Sequence, residues 1–323
     1  MKSVKKGTYS HEAIHSIKAK LRNYKLHTVC EEARCPNLGE CFNRGTATFM
    51  ILGNICTRSC RFCNVGTLKK ETWNMEPETW NLVPPSDSEP ESIARMAAEL
   101  GLKHVVITSV TRDDLPDEGS NQFAKTISLI RQLWGRFCGR STTGDALPAF
   151  SAQSHAKRGF TAETSPKIEV LTPDFHARED CLGTVCEAAP DIFNHNIETV
   201  RRLTPLIRSH AEYDRSLQVL SWVKRHYPKI VTKSGIMVGL GESKEELVET
   251  LSDLCKAGCQ IVTIGQYLAP SKRHVQVAEY LPDEAFEEYK VLGERIGINY
   301  VFSGQFVRSS YMAKEALWTV TLR

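Results

Sequence analysis

Six short apolar runs, each followed by a stretch with helical spacing, constrain the fold of this 323-residue chain more than any other feature. The runs occupy residues 46–52, 104–110, 167–171, 191–195, 231–240 and 260–268. They are continuously apolar rather than alternating, which is typical of strands buried on both faces of a parallel sheet. Six right-handed strand–helix units predict an α/β fold: a partial (β/α)6 barrel of the TIM type, open on one side.

The predicted barrel spans residues 46–304, with an N-terminal extension at 1–45 and a C-terminal extension at 305–323. One segment inside it, residues 135–166, is rich in Gly, Ser, Thr and Ala and has no sustained periodicity. Its composition and length predict a flexible surface insertion between the second helix and the third strand. Cys138, which lies inside this segment, is interpreted as inert.

Eleven cysteines are many for such a chain, and six of them fall between residues 30 and 63. A secreted disulfide framework would place them in a smaller chain behind a signal peptide, and the basic first ten residues precede no apolar segment. The cluster therefore indicates metal binding or redox chemistry in a reducing compartment. The net charge is only +3, and no apolar run approaches the roughly 18 residues of a membrane span. We therefore expect neither nucleic acid nor a membrane as a partner.

Cys56, Cys60 and Cys63 form a C-x3-C-x2-C motif directly after the first predicted strand. Such barrels carry their active sites at this end of the strands. Three thiolates without a fourth leave one iron of an iron–sulfur cluster open to an exogenous ligand. Zinc is the simpler alternative, but structural zinc sites usually pair C-x2-C units, and only Cys60 and Cys63 supply one. An electron-transfer ferredoxin would need neither the barrel nor the open position.

This spacing, with an aromatic residue before the last cysteine, resembles the signature of radical S-adenosylmethionine enzymes. The resemblance implies a [4Fe–4S] cluster on the three cysteines, whose open iron binds S-adenosylmethionine and yields a 5′-deoxyadenosyl radical. His195 is interpreted as structural, because radical chemistry requires no base. Cosubstrate contacts are expected at the motif and at strand ends, from Phe62, Ser109, Asn194, Glu198 and Lys233.

A second triplet, Cys30, Cys35 and Cys41, has the spacing C-x4-C-x5-C. Together with "TSVTRDDLPDEGS", "PDIFNHNIETV", "TKSGIMVGLGE" and the terminal "VRSSY", it resembles the lipoyl synthase family over about residues 9–311, the insertion excepted. The resemblance implies a second [4Fe–4S] cluster on this triplet, with Ser310 as its fourth ligand and Ser309 as the fallback. A serine oxygen is a harder and more labile partner for iron than a thiolate, which would favour sulfide donation. The alternative is a surface turn.

The resemblance implies a sulfurtransferase that replaces C–H bonds at C6 and C8 of an octanoyl-lysyl group by C–S bonds, making the lipoyl cofactor. Its partners would be an octanoylated lipoyl carrier domain, of a 2-oxoacid dehydrogenase E2 subunit or the glycine cleavage H protein, and reduced ferredoxin or flavodoxin. Two other classes stay open. A methylthiotransferase-type radical enzyme would add an RNA-binding domain and a basic surface, and a non-enzymatic metal-binding module would hold zinc.

Targeting is ambiguous from the sequence. The insertion, and an N-terminus that starts inside the family's usual leader region, favour a mitochondrial location. A bacterial source would make the protein cytoplasmic.

Overall fold

The computed structural model describes residues 11–32, 37–43, 46–68, 82–139 and 165–310. Its strands are β1 (His27–Thr28), β2 (Thr46–Ile51), β3 (Ile55–Cys56), β4 (Gly66–Thr67), β5 (His104–Ser109), β6 (Lys167–Leu171), β7 (Ile192–Asn194), β8 (Val231–Val238), β9 (Ile261–Gln266) and β10 (Tyr300–Gly304). Its helices are α1 (His11–Asn23), α2 (Val29–Glu32), α3 (Leu38–Asn43), α4 (Glu89–Leu100), α5 (Ser120–Gly139), α6 (Glu179–Glu187), α7 (Thr204–Ile207), α8 (Tyr213–His226), α9 (Lys244–Lys256) and α10 (Asp283–Ile296).

Eight strands form one sheet in the order β1-β2-β5-β6-β7-β8-β9-β10. Every pair in it is parallel except β1 with β2. Six of these strands, β2, β5, β6, β7, β8 and β9, are the predicted ones in chain order, so the α/β fold is confirmed. The sequence did not predict β10, which extends the sheet beyond β9. An edge strand has one neighbour and need not be continuously apolar, and only Val301 of β10 is fully buried.

Burial on both faces explains the continuous apolar runs of the inner strands. In β5, the side chains of Val105, Val106 and Ile107 are all 0% exposed. The apolar sides of the helices cover the sheet, as Ile93 of α4 and Phe123 of α5 show by joining the same buried cluster. The core thus lies between the sheet and its helices, and the carboxyl ends of the parallel strands share one rim.

The predicted start of the insertion at residue 135 is wrong, because α5 continues to Gly139. A single glycine costs a helix only about 1 kcal/mol, so Gly135 does not end a helix of 20 residues. Residues 140–164 lie outside the described part of the chain. A flexible insertion there stays a prediction.

The sheet curls around a cavity of about 620 Å³. Thr48 of β2 and Thr263 of β9 both line it, although four strands separate β2 from β9 in the sheet. The two extensions meet beside this cavity, because Asn37 Nδ2 donates a hydrogen bond to the carbonyl oxygen of Phe306 at 2.7 Å. The curvature and this link give the partial barrel a mouth at the carboxyl ends of its strands.

Candidate active site

The cluster loop, residues 56–63, starts in β3 and is bonded to the segment that follows β5. The backbone N–H of Thr57 donates to the carbonyl of Thr111 at 3.0 Å. The backbone N–H groups of Thr111 and Arg58 lie 3.3 and 3.4 Å from Cys56 Sγ. These contacts hold Cys56 against the segment that follows β5.

Arg58 fixes the middle of this loop. Its guanidinium donates to Asp113 at 2.8 and 3.1 Å and to Asp174 at 2.8 Å. Burial alone would raise the pKa of Asp174, but the hydrogen bond and charge of Arg58 hold that pKa below its usual range. The sequence analysis assigned no role to Arg58 or Asp174. We call Arg58 with Asp113 and Asp174 the clamp. In the sequence, only the position of both aspartates just after predicted strands indicated it.

The other two cysteines of the motif are held close together. The backbone N–H of Cys63 donates to the carbonyl of Cys60 at 3.0 Å, and His274 Nε2 lies 3.0 Å from the carbonyl oxygen of Cys63. Burial raises the pKa of the Cys60 thiol to about 11 and that of Cys63 to about 12. These thiols ionise at neutral pH only if a cation offsets the buried charge, which iron does when it binds. The donor set therefore fits a resident metal group.

The spacing of the three sulfurs does not suit a single zinc ion. Tetrahedral zinc with Zn–S bonds near 2.3 Å brings its sulfurs to about 3.8 Å from one another. Within the described residues, the one triplet of potential ligand atoms that lie within 4.8 Å of one another is Asp113, Glu118 and His176. The three cysteines are not such a triplet, so at least one pair of their sulfurs is more than 4.8 Å apart. Asp113 in the closer triplet already holds Arg58.

Two cysteines of the second triplet face the same cavity as the first triplet. Cys30 and Cys41 line it, while Cys35 lies outside the described residues. Asn64 Nδ2 donates to the carbonyl of Glu32 at 2.8 Å, which joins the segment of the second triplet to the end of the cluster loop. The cavity wall contains Cys30, Cys41, Cys56, Cys60, Cys63, Ser309 and Ser310.

The two terminal serines differ in their contacts. Asn196 Nδ2 donates to Ser309 Oγ at 3.1 Å. Ser310 follows at the cavity wall, beyond the Asn37–Phe306 link. This arrangement agrees with Ser310 as the ligand and Ser309 as a support, and the assignment stays a prediction.

Three of the predicted cosubstrate contacts line the cavity: Phe62, Ser109 and Glu198. Ser109 Oγ is buried without a hydrogen-bond partner, so it can bond a ligand. Burial raises the pKa of Glu198, whose Oε1 accepts from Asn196 Nδ2 at 3.0 Å. Arg208, which the sequence analysis missed, is also buried at the cavity wall and donates to the carbonyl of Ile197 at 3.1 Å. The carboxylate of Glu198 and the guanidinium of Arg208 thus lie near each other at the cavity wall.

The prediction that Asn194 and Lys233 contact the cosubstrate is wrong. Lys233 Nζ lies 2.9 and 3.1 Å from the carboxylate of Glu169, and Asn194 Nδ2 donates to the same carboxylate at 2.9 Å. All three side chains are 0% exposed, and none lines the cavity. Lys233 is only the third of eight residues in β8, and Asn194 pairs with it in register, so both lie below the mouth.

His195 has the contacts of a structural residue. Its Nδ1 lies 2.9 Å from the carbonyl oxygen of Thr172, and its Nε2 lies 3.0 Å from Ser216 Oγ. Burial lowers its pKa to about 4, so the ring is neutral at neutral pH. These bonds join the end of β6 to α8.

Comparison with known proteins agrees with this site. The family model of the Radical SAM superfamily matches residues 50–254. Lipoyl synthase of Caldanaerobacter subterraneus subsp. tengcongensis is 46% identical over 306 residues, which cover 95% of this chain and 93% of that protein. Lipoyl synthase of Rubrobacter xylanophilus is 48% identical, over 93% of this chain and 80% of that protein. This chain belongs to the lipoyl synthase family. The resemblance predicted from the two triplets and the terminal serines is confirmed.

Other relatives of this lipoyl synthase family member extend the comparison. The mitochondrial lipoyl synthase of Picea sitchensis is 42% identical over 93% of the chain and 69% of that protein. The crystal structure of Streptococcus suis SuiB bound to S-adenosylmethionine has a TM-score of 0.52 at 10% identity, over 88% of this chain and 56% of that chain. The second likeness shows the shared fold. No helix among the described residues is long and apolar enough to cross a membrane.

Family membership decides between the enzyme and the metal-binding module, two functional classes that the sequence left open. The chain is a radical S-adenosylmethionine enzyme of the sulfur-inserting lipoyl synthase family, and not a non-enzymatic metal-binding module. Its cofactors include a [4Fe–4S] cluster and S-adenosylmethionine. Cys56, Cys60 and Cys63 are the residues whose spacing, burial and contacts fit this cluster.

Proposed function

We propose that this enzyme replaces C–H bonds at C6 and C8 of an octanoyl group by C–S bonds, the octanoyl group being amide-linked to a lysine of a lipoyl carrier domain. One observation carries the proposal: the first cysteine triplet, two cysteines of the second (Cys30 and Cys41) and the terminal serines line a single cavity. When bound, the first cluster with S-adenosylmethionine supplies a hydrogen-abstracting radical, and a second cluster supplies sulfide. Both reagents must reach the same carbons, so the two sites have to share one cavity.

The polar residues of the cavity serve to bind S-adenosylmethionine. Glu198 accepts hydrogen bonds from the ammonium group, and Arg208 binds the carboxylate, because each side chain is buried and carries the complementary charge. Ser109 Oγ is buried, lacks a partner and offers the remaining hydrogen bond. Phe62, between Arg61 and Cys63, covers the cluster loop on the cavity side.

An apolar wall of the same cavity suits the octanoyl chain. It excludes water, which protects a reactive radical from side reactions. The cavity volume of about 620 Å³ lies within the range of about 300–1,000 Å³ found for small-molecule sites. The apolar wall is formed by Met50, Leu171, Ile236 and Met237.

Cys30, Cys35, Cys41 and Ser310 are the proposed ligands of the second cluster. The bond from Asn37 to the carbonyl of Phe306 supports this assignment, because it places the helix that carries Cys41 beside the C-terminal serines. Three thiolates and one hydroxyl oxygen form an uneven donor set. The oxygen is the weakest ligand of the four and the one expected to dissociate first.

The proposed partners follow from this reaction. They are an octanoylated lipoyl carrier domain, of a 2-oxoacid dehydrogenase E2 subunit or the glycine cleavage H protein, and an electron donor of the ferredoxin or flavodoxin type. The location stays a prediction: a mitochondrion in a eukaryotic source and the cytoplasm in a bacterial one. Relatives of both origins match the chain.

The test compares two single-cysteine variants in an anaerobic assay with an octanoyl-lysyl peptide, S-adenosylmethionine and dithionite, read by mass. Cys60→Ala removes the entry point of the electron and should abolish 5′-deoxyadenosine formation. Cys41→Ala leaves the first cluster intact and should form 5′-deoxyadenosine without thiolated peptide. Normal 5′-deoxyadenosine formation by Cys60→Ala, or normal lipoyl peptide from Cys41→Ala, would refute the proposed roles.

A further inference from the structure

Three exposed cations lie together on the outer side of the cluster loop. Arg61 belongs to the loop, and Lys272 and Arg273 belong to a segment that packs against it. Two bonds hold this segment in place: the backbone N–H of Val275 donates to the carbonyl of Arg61 at 3.1 Å, and His274 Nε2 lies 3.0 Å from the carbonyl oxygen of Cys63. We call Arg61, Lys272 and Arg273 the basic patch.

The charges of the basic patch are not neutralised locally. Within the described residues, no carboxylate lies within 4.0 Å of any of its three cations. Glu279 is the nearest acid along the chain, and its charge acts on Tyr289 of α10 instead. Some exposed cations elsewhere are paired, as Lys244 is with Glu288 at the start of α9. The basic patch is therefore a local concentration of positive potential.

Exposed apolar side chains adjoin these cations. Leu206 is 58% exposed, and its carbonyl accepts from Arg61 Nη1 at 3.4 Å. Leu268 is 37% exposed, lies four residues before Lys272 in the chain and also lines the cavity. Protein interaction sites combine apolar side chains with a polar rim and are enriched in arginine.

We propose that the basic patch, with Leu206 and Leu268, is the docking site of an acidic one-electron donor protein. The inference rests on the proposed function, in which reductive cleavage of S-adenosylmethionine needs an external electron. The inner side of the cluster loop faces the cavity, whereas the segment holding Lys272 and Arg273 is bonded to Cys63 and reaches solvent. The donor loses one electron and the cluster gains it, and no bond is made or broken.

The patch fits a transient encounter. Electron-transfer interfaces lie at the small end of protein contacts, below about 1,200 Å² of buried surface. Complementary charge raises their association rate and makes binding weaken as salt is added. Three cations and two leucines provide such a surface, and the donor can leave after each electron.

The experiment measures binding of purified acidic flavodoxin to the anaerobically reconstituted enzyme by calorimetry. Lys272→Glu/Arg273→Glu reverses two charges outside the loop, and Lys272→Arg/Arg273→Lys keeps them. The matched control is Arg225→Glu/Lys229→Glu, which reverses two exposed cations at the amino end of β8, on the opposite rim. At low salt we expect about tenfold or greater weakening for the charge reversal at the patch, and none for the other two variants. The difference should shrink toward zero near about 0.3 M salt.

A second measurement compares 5′-deoxyadenosine formation driven by flavodoxin hydroquinone with that driven by dithionite, which needs no docking. Lys272→Glu/Arg273→Glu should lose only the flavodoxin-driven rate. Unchanged flavodoxin binding, or equal loss with dithionite, would overturn the proposal. A raised KM for an octanoylated carrier domain with normal flavodoxin binding would assign the patch to that substrate and also overturn it. Absence of dithionite-driven cleavage by the wild type would refute the proposed function, while the flavodoxin titration would still test the patch.

Discussion

Arg58 ties the cluster loop to the segments that follow β5 and β6 through Asp113 and Asp174. The cysteines were predicted because three thiols at fixed spacing have one strong chemical explanation. Arg58 was not predicted because its role depends on hydrogen bonds to two aspartates, Asp113 and Asp174, which come 55 and 116 residues later in the chain. Lys233 was predicted to contact the cosubstrate because it lies near the end of a predicted strand. In the structure it lies well below the mouth of the barrel. Residue roles that depend on a local motif were predictable, and those that depend on distant partners were not.

Arg58→Lys should lower the cluster content of the enzyme. Lysine keeps the charge but cannot bond both aspartates through a planar fork, so at least one charged hydrogen bond of about 1.5–3 kcal/mol is lost. Iron and sulfide per chain should fall after anaerobic reconstitution. Arg178→Lys, in an exposed pair with Asp180, is the matched control and should keep the wild-type content. Wild-type iron content in Arg58→Lys would show that the clamp does not hold the loop.

At the scale of elements, a buried ion pair ties the inner strands together. Glu169 of β6 bonds Lys233 of β8 and lies 3.4 Å from His104 of β5, and all three side chains are 0% exposed. Burial raises the pKa of Glu169, but the charge of Lys233 outweighs this and lowers that pKa to about 2. The ordinary value is 4.5. The pair's contribution to stability is therefore full above about 4.5 and is lost as pH falls through about 2.

Lys233→Met should destabilise the enzyme by about 3–5 kcal/mol, because it leaves the Glu169 carboxylate buried without a counter-charge. The double variant Lys233→Met/Glu169→Leu should recover most of this loss, since it removes the unpaired charge as well. Denaturant unfolding of the single and double variants measures both effects. The KM for S-adenosylmethionine should stay unchanged in the double variant. Wild-type stability of Lys233→Met together with a raised KM would return Lys233 to the cosubstrate site.

Most strands of the main sheet could be predicted from the sequence, but its edge strand β10 could not. Six strands were predicted because continuous apolar runs are a local signal, and all six are present. The edge strand β10 was not predicted, since "YVFSG" is half polar and its strand character comes from pairing with β9. The last turn of α5, residues 135–139, was also not predicted. Gly135 was interpreted as the end of the helix, but the packing of α5 on the rest of the fold lets the helix continue through it.

At the scale of the whole molecule, the two extensions are bonded to each other beside the cavity, which Cys30, Cys41 and the first cysteine triplet line. The link from Asn37 to Phe306 joins residues 269 positions apart, which no local pattern can predict. The family resemblance implied that the terminal serines meet the second triplet. In agreement with this, Cys30, Cys41 and Ser310 line the same cavity. In the proposed reaction, one cysteine set serves the radical and the other supplies sulfur.

Isotope transfer in a single turnover tests this division of labour most directly. The enzyme is reconstituted with heavy-isotope sulfide, freed of excess sulfide and given an octanoyl-lysyl peptide, S-adenosylmethionine and dithionite, and the product mass is measured. The account predicts heavy sulfur at both C6 and C8 of the lipoyl peptide, lost in equal amount from the protein. It also predicts no thiolation in Cys41→Ala, which still forms 5′-deoxyadenosine. Unlabelled sulfur in the product, with the label retained in the protein, would contradict it.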